Sequence, residues 1–194
     1  MINLFPITIS KTTIQVDWNR DQVLARLSEY FELQQHTTKS VRDLHKEKIF
    51  EPLVKYMDQV VAEYWKTLGY DTQYPIELNS LWANKFDKNQ GYHVHLDSPS
   101  IISVVFYVSK EHSEQGNLYF ANPSEHLWQT QPLSEHRRIN QKYHEVDVRT
   151  GDLLCFPGWL EHGILPNQMD ESRISIAGKY ELKGLTSIKK FLSK

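Results

Sequence analysis

Positions 91–97 read G-Y-H-V-H-L-D, with His93, His95 and Asp97 at alternating places ahead of the apolar run I-I-S-V-V-F-Y-V. In an extended strand, side chains at i, i+2 and i+4 share a face, so all three point the same way if the strand continues to 97. A tight ligand shell takes two of them together with a more distant third group. His95 and Asp97, followed by the turn residues Ser98 and Pro99, form the better pair: a neutral imidazole and a carboxylate at a strand end that chelate one divalent ion. Nitrogen and oxygen donors suit a borderline ion such as Fe(II), and a facial triad requires one more histidine while leaving positions open for small molecules. His162 offers that histidine. It follows G-D-L-L-C-F-P-G-W-L-E at 151–161, a tight turn, a buried apolar strand and a Pro-Gly break. Eleven residues beyond it, R-I-S places Arg173 and Ser175 on one face of a strand and Ile174 and Ile176 on the other. An arginine on the inward face of a barrel is expensive to bury alone, which implies a carboxylate partner held by paired hydrogen bonds. His93 keeps three readings: orienting a ligand, touching substrate, or packing beside Tyr92.

The elements that must position these residues change character along the chain. Ile7 with Ile9 and Ile14 with Val16 alternate as edge strands do, and Asp17 is the expected cap of a helix carrying Val23, Leu24, Leu27, Tyr30 and Phe31. Lys48 to Leu68 repeats apolar residues at helical spacing and is closed by Gly69. From Tyr74 onward the pattern becomes short β-like runs at roughly ten-residue spacing, which indicates a sandwich or barrel. The expected architecture is mainly β with a helical layer, one domain over 1–194, with support in 1–73 and the β core in 74–183. The polar stretch from Pro123 to Gln141 reads as a loop over one mouth of the barrel, with Trp128 a candidate cap on the substrate.

With 194 residues, 40% of them apolar, the chain buries a sizeable core. Its 22 basic and 24 acidic residues leave a formal charge of −2, which gives no general attraction to nucleic acid or anionic membrane. The single cysteine, Cys155, excludes an internal disulfide and a cysteine-rich zinc site, and reads as a buried apolar residue. No run of about 18 apolar residues occurs, and no secretory leader pattern opens the sequence, so a soluble, cytoplasmic protein is expected.

The order H-x-D, a histidine 65 positions on, and R-x-S eleven positions further resembles the 2-oxoglutarate and Fe(II)-dependent oxygenases, whose core is a double-stranded β-helix. Together with S-V-V-F-Y-V, Q-G-N-L-Y-F and G-D-L-L-C-F-P it looks like the prolyl-hydroxylase branch and the small oxygenases of phage and marine bacterial genomes. The resemblance spans roughly Asn79 to Tyr180. It implies that His95, Asp97 and His162 hold Fe(II), and that Arg173, assisted by Ser175 and Tyr107, holds the distal carboxylate of 2-oxoglutarate. Asn84 would lie near the other carboxylate, beside Trp82. It further implies O2 as oxidant, succinate and CO2 as products, and a peptidyl (prolyl-type) or free amino-acid substrate, while the same core also serves nucleobases and small metabolites. The retained Asp97 favours hydroxylation over halogenation, because halogenases of this fold lose the acid to make room for halide. Gly116 stands in Q-G-N, where the family often has a glycine pair. The residues alone leave open a cupin-like metal protein that does not use 2-oxoglutarate and a non-enzymatic binding module, and Arg173 discriminates the first of these.

Overall fold

The computed structural model describes residues 6–34, 42–124, 135, 137 and 140–183. Strand β1 (Ser10–Thr13) precedes helix α1 (Arg20–Gln34), and two 3-10 turns, Leu44–Lys46 and Lys48–Phe50, lead into helix α2 (Glu51–Thr67). Strands then follow as β2 (Ile76–Phe86), β3 (Tyr92–His95), β4 (Ile102–Ser109), β5 (Leu118–Ala121), β6 (Tyr143–Val146), β7 (Asp152–Pro157), β8 (His162–Ile164) and β9 (Arg173–Leu182). They form a five-stranded sheet, β1-β7-β4-β9-β2, and a four-stranded sheet, β3-β8-β5-β6, antiparallel throughout. The chain crosses between the sheets at almost every connection from β2 to β9, which is the jelly-roll winding of a double-stranded β-helix.

The long apolar runs are explained by where their strands lie. In β4 every residue from Ile102 to Val108 is buried, because one face meets helices and the other meets the second sheet. Ile102, Val104, Phe106 and Val108 join the helix-facing core with Leu153, Cys155, Ile176 and Tyr180. Val105 and Tyr107 point between the sheets, with Leu154, Phe156, Ala177, Trp82, Leu118 and Phe120. Cys155 is fully buried, as its apolar setting in the sequence suggests.

Helix α2 buries Leu53, Met57, Val61, Tyr64 and Trp65, a single stripe one side wide. The Tyr180 hydroxyl donates to Asp58 Oδ1 at 2.7 Å and ties this helix to β9. α2 begins at Glu51 rather than Lys48, since Pro52 fits only the first turn of a helix. It ends as expected at Gly69, whose φ of +78° lies in the left-handed region. Two expectations shift. The cap of α1 is Asn19 and not Asp17: Asp17 Oδ1 accepts from Asn19 N at 2.9 Å, and Asn19 Oδ1 then accepts from Gln22 N at 3.4 Å. The N-terminal strand occupies 10–13, between the two apolar pairs, because its backbone pairs there with β7. The segment around Trp128, His126 and His136 lies outside the described residues.

Leu53→Ala leaves a cavity between α2 and the five-stranded sheet. It should lower unfolding stability by about 2–5 kcal/mol in urea denaturation, with divalent-metal binding retained because that layer does not face the interior between the sheets.

Candidate active site

β3 ends at His95, so Asp97 is not carried on a continuing strand as the alternation alone suggests. It sits in the following loop, where its N–H donates to the Gly158 carbonyl at 2.9 Å and its own carbonyl accepts from Ser100 N at 2.8 Å. Gly158 is required at this crossing, since a Cβ there would lie 2.1 Å from the Ser100 carbonyl oxygen. His162 opens β8 and stands directly opposite His95 in the antiparallel pair β3–β8. One ligand atom from each of His95, Asp97 and His162 lies within 4.8 Å of the others. The imidazole Nδ1 of His95 faces the His93 carbonyl at 3.0 Å, and that of His162 faces the Leu160 carbonyl at 2.9 Å. A carbonyl only accepts, so each Nδ1 carries the proton and each Nε2 keeps its lone pair for a metal.

Arg173, Ser175, Ala177 and Lys179 alternate along the inner face of β9. Ser175 pairs with Asn84 on one side and Tyr107 on the other, so the three form one row across β2, β9 and β4. Arg173 is 0% exposed, with its guanidinium carbon 5.0 Å from the Tyr107 ring centre and 5.4 Å from that of Phe86. None of its three nitrogens has a hydrogen-bond partner among the described residues, and neither do the Tyr107 hydroxyl or Ser175 Oγ. A buried cation beside two free hydroxyls is the fitting lining for a carboxylate, since an unpaired charge in this interior is strongly unfavourable.

The family described as "Putative 2OG-Fe(II) oxygenase" matches residues 80–178, about half of the chain, a span that includes His95, Asp97, His162, Arg173, Ser175, Tyr107 and Asn84. The chain belongs to this family. No curated protein matches the sequence. Among solved structures, the fold of the oxygenase is similar to HygX from Streptomyces hygroscopicus with nickel and 2-oxoglutarate bound, at 15% identity and a TM-score of 0.62, covering 90% of this chain and 82% of that one. It is also similar to the non-heme α-ketoglutarate-dependent carbocyclase SnoK from nogalamycin biosynthesis, at 15% identity and a TM-score of 0.65 over 92% and 80%. A prolyl-4-hydroxylase from Pseudomonas putida matches at 16% identity and a TM-score of 0.57 over 92% and 89%. Iron, 2-oxoglutarate and O2 are the reagents of the family, and the His-Asp-His cluster and the Arg173 pocket have the donor chemistry for the first two. No helix among the described residues is long and apolar enough to cross a membrane.

The electrostatics of the oxygenase site favour its metal-ready protonation state. Burial pushes the His162 imidazole down, only partly offset by the Leu160 carbonyl and Asp97. Burial alone raises the Asp97 carboxyl, but His162, Lys179 and Ser103 outweigh it and hold it below the ordinary carboxylate value. Between the sheets, burial raises the Tyr107 hydroxyl and works against the charge on Arg173. Phe156 and Phe120 wall the triad, with ring centres 4.7 and 6.2 Å from that of His162.

Two features of the site are absent from the motif reading. Lys179 Nζ lies 3.2 Å from Asp97 Oδ1, and its signal was parity: six residues beyond Arg173 on one strand, it must share Arg173's face. His144 is half-buried and pairs with Phe120 in the row that continues through His162 to His95. His112 is exposed. His93 is exposed and stacks on Tyr92 with ring centres 4.6 Å apart, the packing reading, while its carbonyl orients His95. Gly116 has φ +80° and would place a Cβ 2.1 Å from the Leu165 carbonyl oxygen, so one glycine of the usual pair suffices for this close approach.

Because the folded His162 binds its proton less tightly than an unfolded imidazole near 6.5, the unfolded chain takes up more protons between the two values. Stability of the metal-free protein is therefore full above about pH 6.5 and falls as pH drops through the lowered value, by at most about 1.4 kcal/mol per pH unit. Urea unfolding from pH 8 to 5 should show this decline, and His162→Gln should flatten it.

Proposed function

We propose that the oxygenase holds Fe(II) on His95, Asp97 and His162 and 2-oxoglutarate against Arg173, Ser175, Tyr107 and Asn84, and hydroxylates a carbon of a peptidyl, prolyl-type, or free amino-acid substrate. The observation that carries the cosubstrate assignment is Arg173: a fully buried guanidinium without a hydrogen-bond partner among the described residues, on the same strand face as the lysine that contacts the Asp97 carboxylate. A metal protein with no need of 2-oxoglutarate has no reason to retain that cation in its interior.

In this reading the distal carboxylate of 2-oxoglutarate accepts from the guanidinium, Ser175 and Tyr107, relieving their unmet hydrogen bonds. Asn84, paired with Ser175 two residues along β9 from Arg173, would be available to the other end of the cosubstrate. The histidines present Nε2 because their Nδ1 protons are committed to backbone carbonyls, and Phe120 and Phe156 keep water from one side of the cluster. Bound iron supplies the site at which O2 is reduced as 2-oxoglutarate loses CO2. In balance, 2-oxoglutarate, O2 and a substrate C–H yield succinate, CO2 and a C–OH. The retained Asp97 supports hydroxylation, and likeness to a prolyl-4-hydroxylase supports an amino-acid-type substrate.

Purified protein with Fe(II), 2-oxoglutarate and O2 should form succinate slowly, faster with proline-containing peptides, as followed by mass spectrometry. Asp97→Ala should abolish it. Arg173→Ala should weaken 2-oxoglutarate binding by about 2–5 kcal/mol, roughly thirtyfold or more, as read by titration calorimetry on the metal-loaded protein. Unchanged 2-oxoglutarate affinity in Arg173→Ala overturns the cosubstrate assignment and returns the chain to the cupin-like alternative.

A further inference from the structure

Lys179 occupies the metal-side end of the inner β9 row, and nothing in the family motif assigns it. Its Nζ lies 3.2 Å from Asp97 Oδ1 and donates to the Asp97 main-chain carbonyl at 3.2 Å. The second carboxylate oxygen, Oδ2, lies 3.6 Å from His162 Nε2. The two oxygens of one carboxylate are thus divided between two neighbours: Oδ1 belongs to a fixed cation, and Oδ2 to the cluster. The lysine is held rigidly for this. β9 is hydrogen-bonded to β4 and β2 on its two sides, Ser103 and Ser80 are the cross-strand neighbours of Lys179, and the Trp82 ring centre lies 5.8 Å from Nζ. The side chain is only 15% exposed, so water competes weakly for its protons.

We infer that Lys179 is a positioning residue that restricts Asp97 to one-oxygen coordination. The inference rests on the proposed metal site. A carboxylate free to turn offers both oxygens to a metal and fills an extra coordination position. With Oδ1 engaged by the ammonium and the Asp97 carbonyl anchoring the same Nζ, that second bond requires breaking a desolvated ion pair. The position kept open is one that a bidentate 2-oxo acid needs. The role differs from simple assembly of the site: Lys179 repels the metal as a like charge, so it does not increase metal affinity, and its effect falls on what the metal binds next.

The test is calorimetric and anaerobic, with Co(II)-loaded protein and 2-oxoglutarate as the probe. Lys179→Met, which keeps the stem and removes the charge, should bind Co(II) within about threefold of wild type yet bind 2-oxoglutarate at least roughly tenfold more weakly. Lys179→Arg should restore 2-oxoglutarate binding. The visible absorption of the Co(II) form should weaken in Lys179→Met before 2-oxoglutarate is added, as it does when coordination number rises. Lys179→Met that binds 2-oxoglutarate within twofold of wild type overturns the inference. So does Lys179→Met that loses Co(II) as well, since the lysine then builds the site instead of limiting Asp97. If wild type itself binds Co(II) but not 2-oxoglutarate, it is the proposed cosubstrate that fails.

Discussion

The pairing of β9 between β4 and β2 is the constraint on which the rest of the molecule depends. Because β9 is a covered strand, its side chains must alternate between a purely apolar environment on the helix side and the interior on the other. Ile174, Ile176 and Tyr180 meet the first condition. Arg173, Ser175 and Lys179 are thereby delivered to the second in a straight line. A slip of one residue in this pairing would bury both cations against α2 and turn the isoleucines into the site, so the apolar side of the strand enforces the polar side.

The two sheets divide the chemistry between them. The larger carries the groups proposed to meet an anion, Arg173, Ser175, Tyr107 and Asn84, on the neighbouring strands β4, β9 and β2. The smaller supplies the two histidines, from neighbouring strands whose register sets His95 opposite His162. Asp97 alone comes from a loop, and it is the residue held by the most external contacts, from Gly158, Ser100 and Lys179. Rigid strands need no such support for orientation, whereas a loop carboxylate does. The site also carries an energetic debt, because the Arg173 nitrogens and the Tyr107 and Ser175 hydroxyls are buried without hydrogen bonds among the described residues. Such a penalty is tolerated where a ligand relieves it, and the apolar layer from α1 and α2 through β4 and β7 provides the offsetting burial.

Much of the site was legible because strand chemistry is local. The Pro-Gly break before His162 and the R-x-S alternation are short local patterns, and both recur in the structure, as the turn at Gly158 after β7 ends at Pro157 and as the inner face of β9. What failed had a nonlocal cause. Asp97 was expected to share a strand face with His95, but its backbone is drawn into the loop by Gly158, 61 positions later in the chain. The neighbourhood of His144 is polar in sequence, yet pairing with Phe120 turns it toward the inner row. The Asn19 cap was missed because Asp17 and Asn19 are equally good acceptors in sequence, and only the left-handed φ of +46° at Asn19 distinguishes them.

The sequence by itself determined which side chains share a face within each strand, and hence that Arg173 and Ser175 are alike in orientation; that His95, Asp97 and His162 meet was decided by the β3–β8 pairing and the loop after β3. Alternation is a property of the extended backbone and needs no partner. Only the tertiary structure decided that Lys179 and the histidine cluster both meet the Asp97 carboxylate, and that the buried Arg173 guanidinium finds aromatic rings but no carboxylate among the described residues. Those outcomes depend on the distance between the two sheets and on the register of three strands, quantities set by the packing of the whole core and by no local run of residues.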